Sequence, residues 1–159
     1  MSTKIPPPEI NFQTTLLVRD CCLCLHVQRA ARVLARRFDE ALKPVGLTNG
    51  QFSLMMSLNR PEMPGVPQAT IGSVADLLGM DRTTVTAAAR VLFDRGLILV
   101  KPDKEDRRTK VMRPTEEGLR VLASAVPIWE RVHAELEKEL GEAKPDRLRK
   151  DLMVLARDV

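Results

Sequence analysis

The sequence predicts a mainly α-helical protein that carries one small β-hairpin. The chain has 159 residues, of which 44% are apolar and only 3% are aromatic. A core of this composition has to be built from leucine, valine, alanine and methionine, which suit helices better than sheets. The length is enough for one well-packed domain and short for two. We therefore expect residues 1–159 to form a single domain.

Charge and cysteine content narrow the function classes. Residues 76–113 hold nine basic and six acidic side chains, whereas the segment after Arg113 is net negative. A basic middle favours a polyanionic partner. All three cysteines lie between Cys21 and Cys24, so they cannot link distant segments, which indicates a reducing compartment. With no signal peptide before Pro6 and no apolar run of about 18 residues, we expect a cytoplasmic protein without membrane contact.

The N-terminal part predicts an extended arm followed by a long helix. Residues 1–13 include three consecutive prolines, which exclude regular helix. The segment from Thr14 to Lys43 has no glycine or proline and repeats apolar residues every three or four positions, and Pro44 and Gly46 end it. Such a helix is about 45 Å long. A domain of this size does not cover that length, so we expect part of it to pack against a partner subunit.

The middle of the chain predicts three shorter helices. Thr48 opens the first, with Gln51 at the spacing of a capping box. The proline-rich residues 59–69 form a loop. Thr70 and Asp81 have side chains that cap the two helices that follow. These helices are expected over residues 71–78 and 82–95.

A hairpin and two C-terminal helices complete the chain. Residues 97–100 and 111–113 read as strands around a long polar tip. Thr115 caps a helix that runs to Leu140, with Pro127 as a possible kink. After a break at 141–145, residues 146–159 form an amphipathic helix. Its leucines are expected to face inward; they are Leu148, Leu152 and Leu155.

Residues 74–85 have the pattern of a helix–turn–helix. This motif needs a small residue where two helices cross, a glycine in the turn and a branched apolar residue on the second helix. Ala75, Gly79 and Val85 supply these, although any amphipathic helix pair with a central glycine shares the pattern. Small, hydroxyl and arginine side chains on the second helix suit contact with base edges and phosphates. The candidate DNA-reading residues are Arg82, Thr83, Thr84, Thr86, Ala87 and Arg90.

The tip of the hairpin is a second candidate DNA contact. Arg107 and Arg108 lie there, and an arginine at a hairpin tip can enter the narrow minor groove of an A·T-rich stretch. Asp106 is expected to pair with Arg108 and hold it extended. A solvated, ion-paired turn is the alternative. A reading helix followed by a basic tip makes DNA binding the better interpretation.

The run LLGMDRTTVTAAARVLFDRGLILVKPDKEDRRTKVMRPTEEG resembles the winged helix–turn–helix of the MarR family of transcriptional regulators. The upstream run FDEALKPVGLTNGQFSLMMSL is similar to the end of their first helix and their second helix. The resemblance implies a winged lobe over residues 47–113 between long dimerisation helices over 14–46 and 114–159. It implies a homodimer that reads a pseudo-palindromic operator in double-stranded DNA. We expect no cofactor, no catalytic residue and no enzymatic activity.

Matching positions carry the family's DNA contacts onto this chain. The resemblance places Arg82, Thr84, Ala87 and Arg90 on the DNA-facing side of the reading helix. Asp106 and Arg108 fall on the wing's Asp-x-Arg pattern, and Arg107 is implied as a nearby phosphate contact. Two departures matter. Pro114 stands where leucine is usual, which predicts that the second wing strand ends early. The loop over residues 59–69 is long and proline-rich, which predicts a re-aimed lobe.

The resemblance also implies a switch. Family members are often released from DNA by small aromatic acids, other phenolics or oxidants, so we expect a repressor released by a small aromatic or phenolic ligand. The implied pocket lies between the dimerisation helices and the winged lobe. Ordinary core or interface packing is the competing role for each candidate. The candidates are Cys24, His26, Phe52, Met55, Met56 and Trp129.

The cysteines leave two alternatives open. Cys24 falls where the organic-peroxide-sensing branch resembling OhrR carries its reactive cysteine. That branch activates the thiolate with tyrosines, but this chain has none and places Gln28 and Phe38 there. A thiol inside a helix also lacks the field of a helix N-terminus. The alternative from another class is a thiol-based enzyme or reductase using Cys21 and Cys24. A third, independent of the cysteines, is a winged-helix interaction module that no longer binds DNA. On one helix Cys22 and His26 share a face, whereas Cys24 lies on the other side. The three cannot bind one metal ion together, so we expect no metal site.

Overall fold

The computed structural model describes residues 10–61, 63, 65–103, 107–141 and 145–157. The chain divides into two compact units, Met1–Ala35 and Arg36–Val159. The described residues form helices and one two-stranded antiparallel sheet, as predicted. In chain order the elements are α1 (Phe12–Cys21), α2 (Leu23–Leu42), a 3-10 turn (Lys43–Val45), α3 (Asn49–Leu58), α4 (Ile71–Leu78), α5 (Arg82–Asp94), β1 (Ile98–Pro102), β2 (Lys110–Pro114), α6 (Glu116–Leu140) and α7 (Pro145–Leu155).

The prediction of one helix from Thr14 to Lys43 is wrong, because Cys22 separates α1 from α2. Cys22 is extended, with φ −75° and ψ 104°. Its Sγ accepts the Leu25 N–H at 3.5 Å, and the His26 ring contacts the Asp20 carbonyl oxygen at 3.2 Å. Polar groups at both helix ends therefore find partners, and cysteine and aspartate add little helix propensity. The expected continuous helix of about 45 Å is therefore not formed.

The core of the second unit begins on the last turns of α2, where Phe38 and Leu42 are buried. α3 contacts α4, α5, α6 and β2, and its side chains Leu54 and Met55 are at most 1% exposed. The predicted capping box at Thr48 is present, with the Gln51 N–H donating to the Thr48 hydroxyl oxygen at 3.2 Å. α3 is thus the central support for the elements that follow.

The hairpin pairs β1 and β2 over their full lengths, with Ile98 opposite Pro114. The expectation that Pro114 ends the second strand early is wrong. Proline is accommodated because it is the last residue of the strand, where its missing N–H breaks no interior ladder bond. Thr115 continues the pairing, since its N–H donates to the Leu97 carbonyl oxygen at 3.0 Å.

The end of the proline-rich loop is attached to the outer side of β2. The Met112 N–H donates to the Ala69 carbonyl oxygen at 2.8 Å. Beside it, Arg113 Nη2 donates to Gln68 Oε1 at 2.5 Å. These bonds hold the base of the hairpin against the segment that leads into α4.

α6 and α7 differ in burial. α6 runs unbroken through Pro127 and reaches Leu140, as predicted. α7 begins at Pro145, inside the predicted break, and the expectation of inward leucines is wrong. α7 has no buried residue. A hydrogen bond links it to α6, with Arg149 Nη1 donating to Glu137 Oε1 at 2.9 Å. The exposed leucines are Leu148 (44%), Leu152 (40%) and Leu155 (60%).

Among the helices that the structure describes, none is both long enough and apolar enough to cross a membrane.

Candidate nucleic-acid interface

Hydrogen bonds around its turn hold the helix–turn–helix of α4 and α5. At the start of α4, the Thr70 and Ser73 side chains accept each other's backbone N–H at 3.1 and 3.0 Å. At the end of α4, Gly79 adopts φ 61° and ψ 35°, a left-handed conformation that suits glycine. The Met80 N–H then donates to the Ala75 carbonyl oxygen at 2.9 Å. Ala75 and Gly79 therefore occupy the predicted roles.

Asp81 caps α5 and fixes its first turn. Its Oδ1 accepts the Thr84 N–H at 2.8 Å, and its Oδ2 accepts the Thr84 hydroxyl at 2.5 Å. These two bonds, the hydroxyl bond above all, hold the pKa of Asp81 below its ordinary value of 3.8. The carboxylate is therefore charged at neutral pH. A negative charge at a helix N-terminus also stabilises the helix dipole.

α5 turns one face to the core and the opposite face to solvent. Val85 and Leu92 are 0% exposed. With 3.6 residues per turn, the centre of the opposite face falls on Thr83, Ala87 and Arg90. All of the predicted reading residues on this helix are exposed, namely Arg82, Thr83, Thr84, Thr86, Ala87 and Arg90.

Four of these predicted residues make contacts within the lobe, namely Arg82, Thr84, Thr86 and Arg90. The Thr84 hydroxyl donates to Asp81, and the Thr86 hydroxyl donates to the Arg82 carbonyl oxygen at 2.7 Å. Both hydroxyl oxygens keep acceptor capacity, and both methyl groups remain apolar contacts. The Arg82 guanidinium lies beside α4, because a Cβ built on Gly72 would be 3.5 Å from its Nη2.

Asp94 is a member of this face that sequence reasoning missed. It lies one turn after Arg90, and Arg90 Nε donates to Asp94 Oδ1 and Oδ2, both at 2.9 Å. The i, i+4 spacing of an arginine and an aspartate is the signal that identifies such a pair in a helix.

A groove of about 480 Å³ separates α5 from the hairpin. Thr86 and Arg90 border it on the α5 side, and Lys101 and Lys110 border it on the strands. The strand lysines were also missed. The register pairs Lys101 with Val111 and Lys110 with Pro102, which places the two lysines on opposite faces of the hairpin, and both border the groove. Its apolar lining consists of Ile71, Ala89, Phe93, Val100, Pro102 and Met112. Neither lysine has an ion-pair partner among the described residues, so this side of the lobe is basic.

The tip of the hairpin exposes Arg107 and Arg108. Below them, the Asp103 N–H donates to the Thr109 carbonyl oxygen at 2.8 Å, which extends the hairpin beyond its ladder. Asp106 lies outside the described residues, so its pairing with Arg108 stays a prediction. The positions of the two arginines at the end of the hairpin agree with the predicted wing tip.

The predicted effector-pocket residues fall in different environments. Cys24 and His26 belong to the first unit and are exposed. In the second unit, Phe52 and Met55 are buried in the core and Met56 is exposed. Trp129 is half-buried, with its ring centroid 4.8 Å from that of His133. Their role as a ligand pocket stays a prediction.

No group of three or more histidine, cysteine, aspartate or glutamate side chains in the described part of the chain is arranged to hold a metal ion.

Comparison with known proteins finds the MarR family model, which matches residues 47–110. The transcriptional regulator MosR of M. tuberculosis, solved in complex with DNA, is 34% identical with a TM-score of 0.74, over 86% of this chain and 94% of that chain. The repressor CouR, solved on a 23-mer DNA duplex, is 26% identical with a TM-score of 0.75, over 94% of this chain and 100% of that chain.

Two further comparisons add detail. CouR has also been solved bound to p-coumaroyl-CoA, with 27% identity and a TM-score of 0.70 over 86% of this chain and 93% of that chain. The uncharacterised HTH-type transcriptional regulator YybA of Bacillus subtilis is 30% identical over 99 residues, which are 60% of this chain. The match spans 63% of the length of YybA.

Proposed function

The chain belongs to the MarR family of transcriptional regulators, and we propose that it is a repressor that binds a pseudo-palindromic operator in double-stranded DNA. In this proposal α5 enters the major groove and the hairpin tip contacts the adjacent minor groove. Two relatives, MosR and CouR, have been solved with DNA, and CouR is described as a repressor. These relatives support the choice of partner and of repression.

One observation carries the proposal. A solvent-facing surface of α5, centred on Thr83, Ala87 and Arg90, lies beside a hairpin that presents Lys101 and Lys110. The helix has small side chains that permit close approach to base edges, and the hairpin supplies cations for phosphates. In this proposal one lobe supplies both the base contacts and the phosphate contacts.

The unit that binds DNA is a homodimer in this proposal. Exposed apolar side chains occur on α1, where Leu17 is 61% exposed, and on α7, where Leu155 is 60% exposed. Leaving such faces in water is unfavourable, and a second copy of the chain would bury them. We assign the apolar faces of the helices within residues 14–46 and 114–159 to this interface, and residues 47–113 to the DNA-binding lobe.

The direct test is binding of the purified protein to the promoter regions that flank its own gene. Fluorescence anisotropy at about 50 mM salt, followed by a salt titration, gives the affinity and the number of phosphates neutralised. We expect two chains per operator and a steep loss of affinity with salt. Absence of binding even at low salt would contradict the proposal.

The proposed signal for release is a small aromatic or phenolic ligand. The binding of p-coumaroyl-CoA by CouR supports this chemical class. The residues proposed to contact it are those predicted from sequence, Cys24, His26, Phe52, Met55, Met56 and Trp129. Trp129 offers a half-buried aromatic surface beside His133, which suits stacking against a ring.

A thermal-shift screen of aromatic carboxylates, phenols and p-coumaroyl-CoA tests the proposed effector class. A ligand that binds only the folded protein raises its Tm. At a ligand concentration of a hundred times Kd, the free energy of unfolding rises by about 2.7 kcal/mol. The same ligand should release operator DNA. A ligand that raises Tm and leaves DNA affinity unchanged would argue against an effector role.

A redox switch is the second candidate, because of a contact at Cys24. The thiol is exposed, and Gln28 Nε2 donates to its Sγ at 3.1 Å. An amide donor thus contacts the sulfur, at a position where the peroxide-sensing branch is expected to use a tyrosine. Organic peroxide should then release the wild-type protein from DNA, whereas the Cys24→Ser variant should stay bound. Release that persists in Cys24→Ser would eliminate this mechanism.

A further inference from the structure

Arg90 and Asp94 form an ion pair on the solvent-facing surface of α5. Arg90 Nε lies 2.9 Å from both carboxylate oxygens of Asp94. The side chains are 75% and 53% exposed, and ion pairs this exposed add little to stability. The role of the pair therefore lies in the groups that it presents to DNA.

The pair leaves one end of the guanidinium available. Nε is occupied by Asp94, whereas Nη1 and Nη2 have no hydrogen-bond partner among the described residues. These two groups donate in parallel and match the O6 and N7 acceptors of guanine in the major groove. A guanidinium held at Nε also loses less side-chain freedom when it meets the base.

The charge of the pair favours a base over a phosphate. Arg90 and Asp94 together are neutral, so the pair releases few counterions when it approaches the DNA backbone. Lys101 and Lys110 border the same groove without an acidic partner among the described residues. They supply the charge that non-specific binding needs. The carboxylate of Asp94 is repelled by phosphates, which disfavours any register that brings them close.

From this arrangement we propose that Asp94 is a positioning residue for specificity, which aims Arg90 at one guanine in each half of the operator. The inference rests on the proposed function and adds to it a base preference and the residue pair that sets it. Asp94 acts through Arg90 and has no direct base contact in this account.

The test uses the operator duplex defined by footprinting and copies in which each guanine in turn is replaced by 7-deazaguanine, which lacks the N7 acceptor. The variants are Arg90→Ala, Asp94→Asn and Asp94→Ala, with Asp151→Asn as the matched control. Asp151 lies on α7 and forms an ion pair of the same i, i+4 spacing with Arg147, in which Arg147 Nε is 3.7 Å from Asp151 Oδ2. The control removes the same charge from the same kind of pair.

We expect one guanine whose 7-deaza analogue weakens wild-type binding about tenfold. Arg90→Ala should be insensitive to that substitution, and the Asp94 variants should show less than about a threefold effect. The Asp94 variants should also bind unrelated duplex more tightly, because a negative charge is gone. Asp151→Asn should resemble wild type in each measurement.

Two results would overturn this inference and leave the proposed function intact. One is wild-type sensitivity to 7-deazaguanine that persists unchanged in the Asp94 variants. The other is an Arg90→Ala variant that loses the same factor on operator and unrelated DNA, with a salt slope reduced by about one, as a phosphate contact predicts. A wild-type protein that does not distinguish operator from unrelated DNA would overturn the proposed function and this inference together.

Discussion

Gly118 and Leu97 are in direct backbone contact: a Cβ added at Gly118 would lie 2.0 Å from the Leu97 carbonyl oxygen. That oxygen also accepts the Thr115 N–H at 3.0 Å. The first turn of α6 is therefore fixed against the residue that leads into β1. Any movement of α6 has to move the root of the hairpin with it.

Substituting this glycine should destabilise the protein. In Gly118→Ala, the methyl group meets backbone, which cannot rotate away, and overpacking of this kind costs about 1–3 kcal/mol. The better helix propensity of alanine offsets up to about 1 kcal/mol. Urea unfolding should show a net loss of stability, and operator affinity should fall.

Gly50→Ala is the matched control for this change. Gly50 lies in α3 with no atom within 4 Å of an added Cβ. We expect stability to stay constant or to rise by at most about 1 kcal/mol. A Gly118→Ala variant as stable as Gly50→Ala would refute the close contact between α6 and the hairpin root.

The lysines of the hairpin should act through phosphates. Lys101→Ala and Lys110→Ala should each weaken binding to operator and unrelated DNA by similar factors. Each should also reduce the slope of log affinity against log salt by about 0.9. Lys150→Ala on α7 removes the same charge away from the DNA-binding lobe. Anisotropy between about 50 and 200 mM salt distinguishes the three, and slopes identical to wild type would exclude these contacts.

The cap of α5 should make a pH-dependent contribution to stability. The pKa of Asp81 is lowered in the folded state, chiefly by the Thr84 hydroxyl and N–H. Folding therefore gains from the charged carboxylate above its ordinary pKa of 3.8, and loses that gain as pH falls through the lower folded value. Asp81→Asn keeps a good cap without titrating.

The measurement is the difference in unfolding free energy between wild type and Asp81→Asn. It should favour wild type at neutral pH and shrink as pH falls below about 4. Asp76→Asn, an exposed aspartate on α4, controls for the general effect of losing one charge. A difference that grows on acidification would contradict the assigned direction of the shift.

The leucine face of α7 should determine the oligomeric state. Leu152 is 40% exposed, and Leu152→Glu would place an uncompensated charge in the proposed interface, which costs about 3–5 kcal/mol when buried. Sedimentation should show a dimer at least about a hundredfold weaker. Lys150→Glu puts the same side chain on the polar side of α7 and should leave the dimer intact. Equal dimer affinity for both variants would remove α7 from the interface.

Features that depend on local hydrogen bonds were predictable from sequence. Thr48, Thr70 and Asp81 were identified as caps because a capping side chain bonds to a backbone N–H two or three residues away. The start of α6 followed from its cap at Thr115, and its end at Leu140 followed from the break at Gly141. The turn between α4 and α5 followed from Gly79, which adopts the expected positive φ.

Features that depend on how particular elements pack together were not predictable from sequence. The break between α1 and α2 at Cys22 was not predicted, because hydrophobic periodicity and helix propensity do not detect a thiol that accepts a backbone N–H. The groove bordered by Lys101 and Lys110 exists only once α5 packs against the hairpin. Pro114 was misread because its effect depends on which strand end it occupies. The exposed leucines of α7 were expected inside because patterning identifies an apolar face and not its partner.

The central claim is sequence-specific DNA binding by the helix–turn–helix and the wing tip. Its most direct test is the ratio of Kd for unrelated duplex to Kd for the footprinted operator at about 150 mM salt, in wild type and in Arg108→Ala. We expect a ratio of about a thousand or more for wild type and a clear fall in operator affinity for the variant. A wild-type ratio near one, or operator affinity unchanged in Arg108→Ala, would contradict the account.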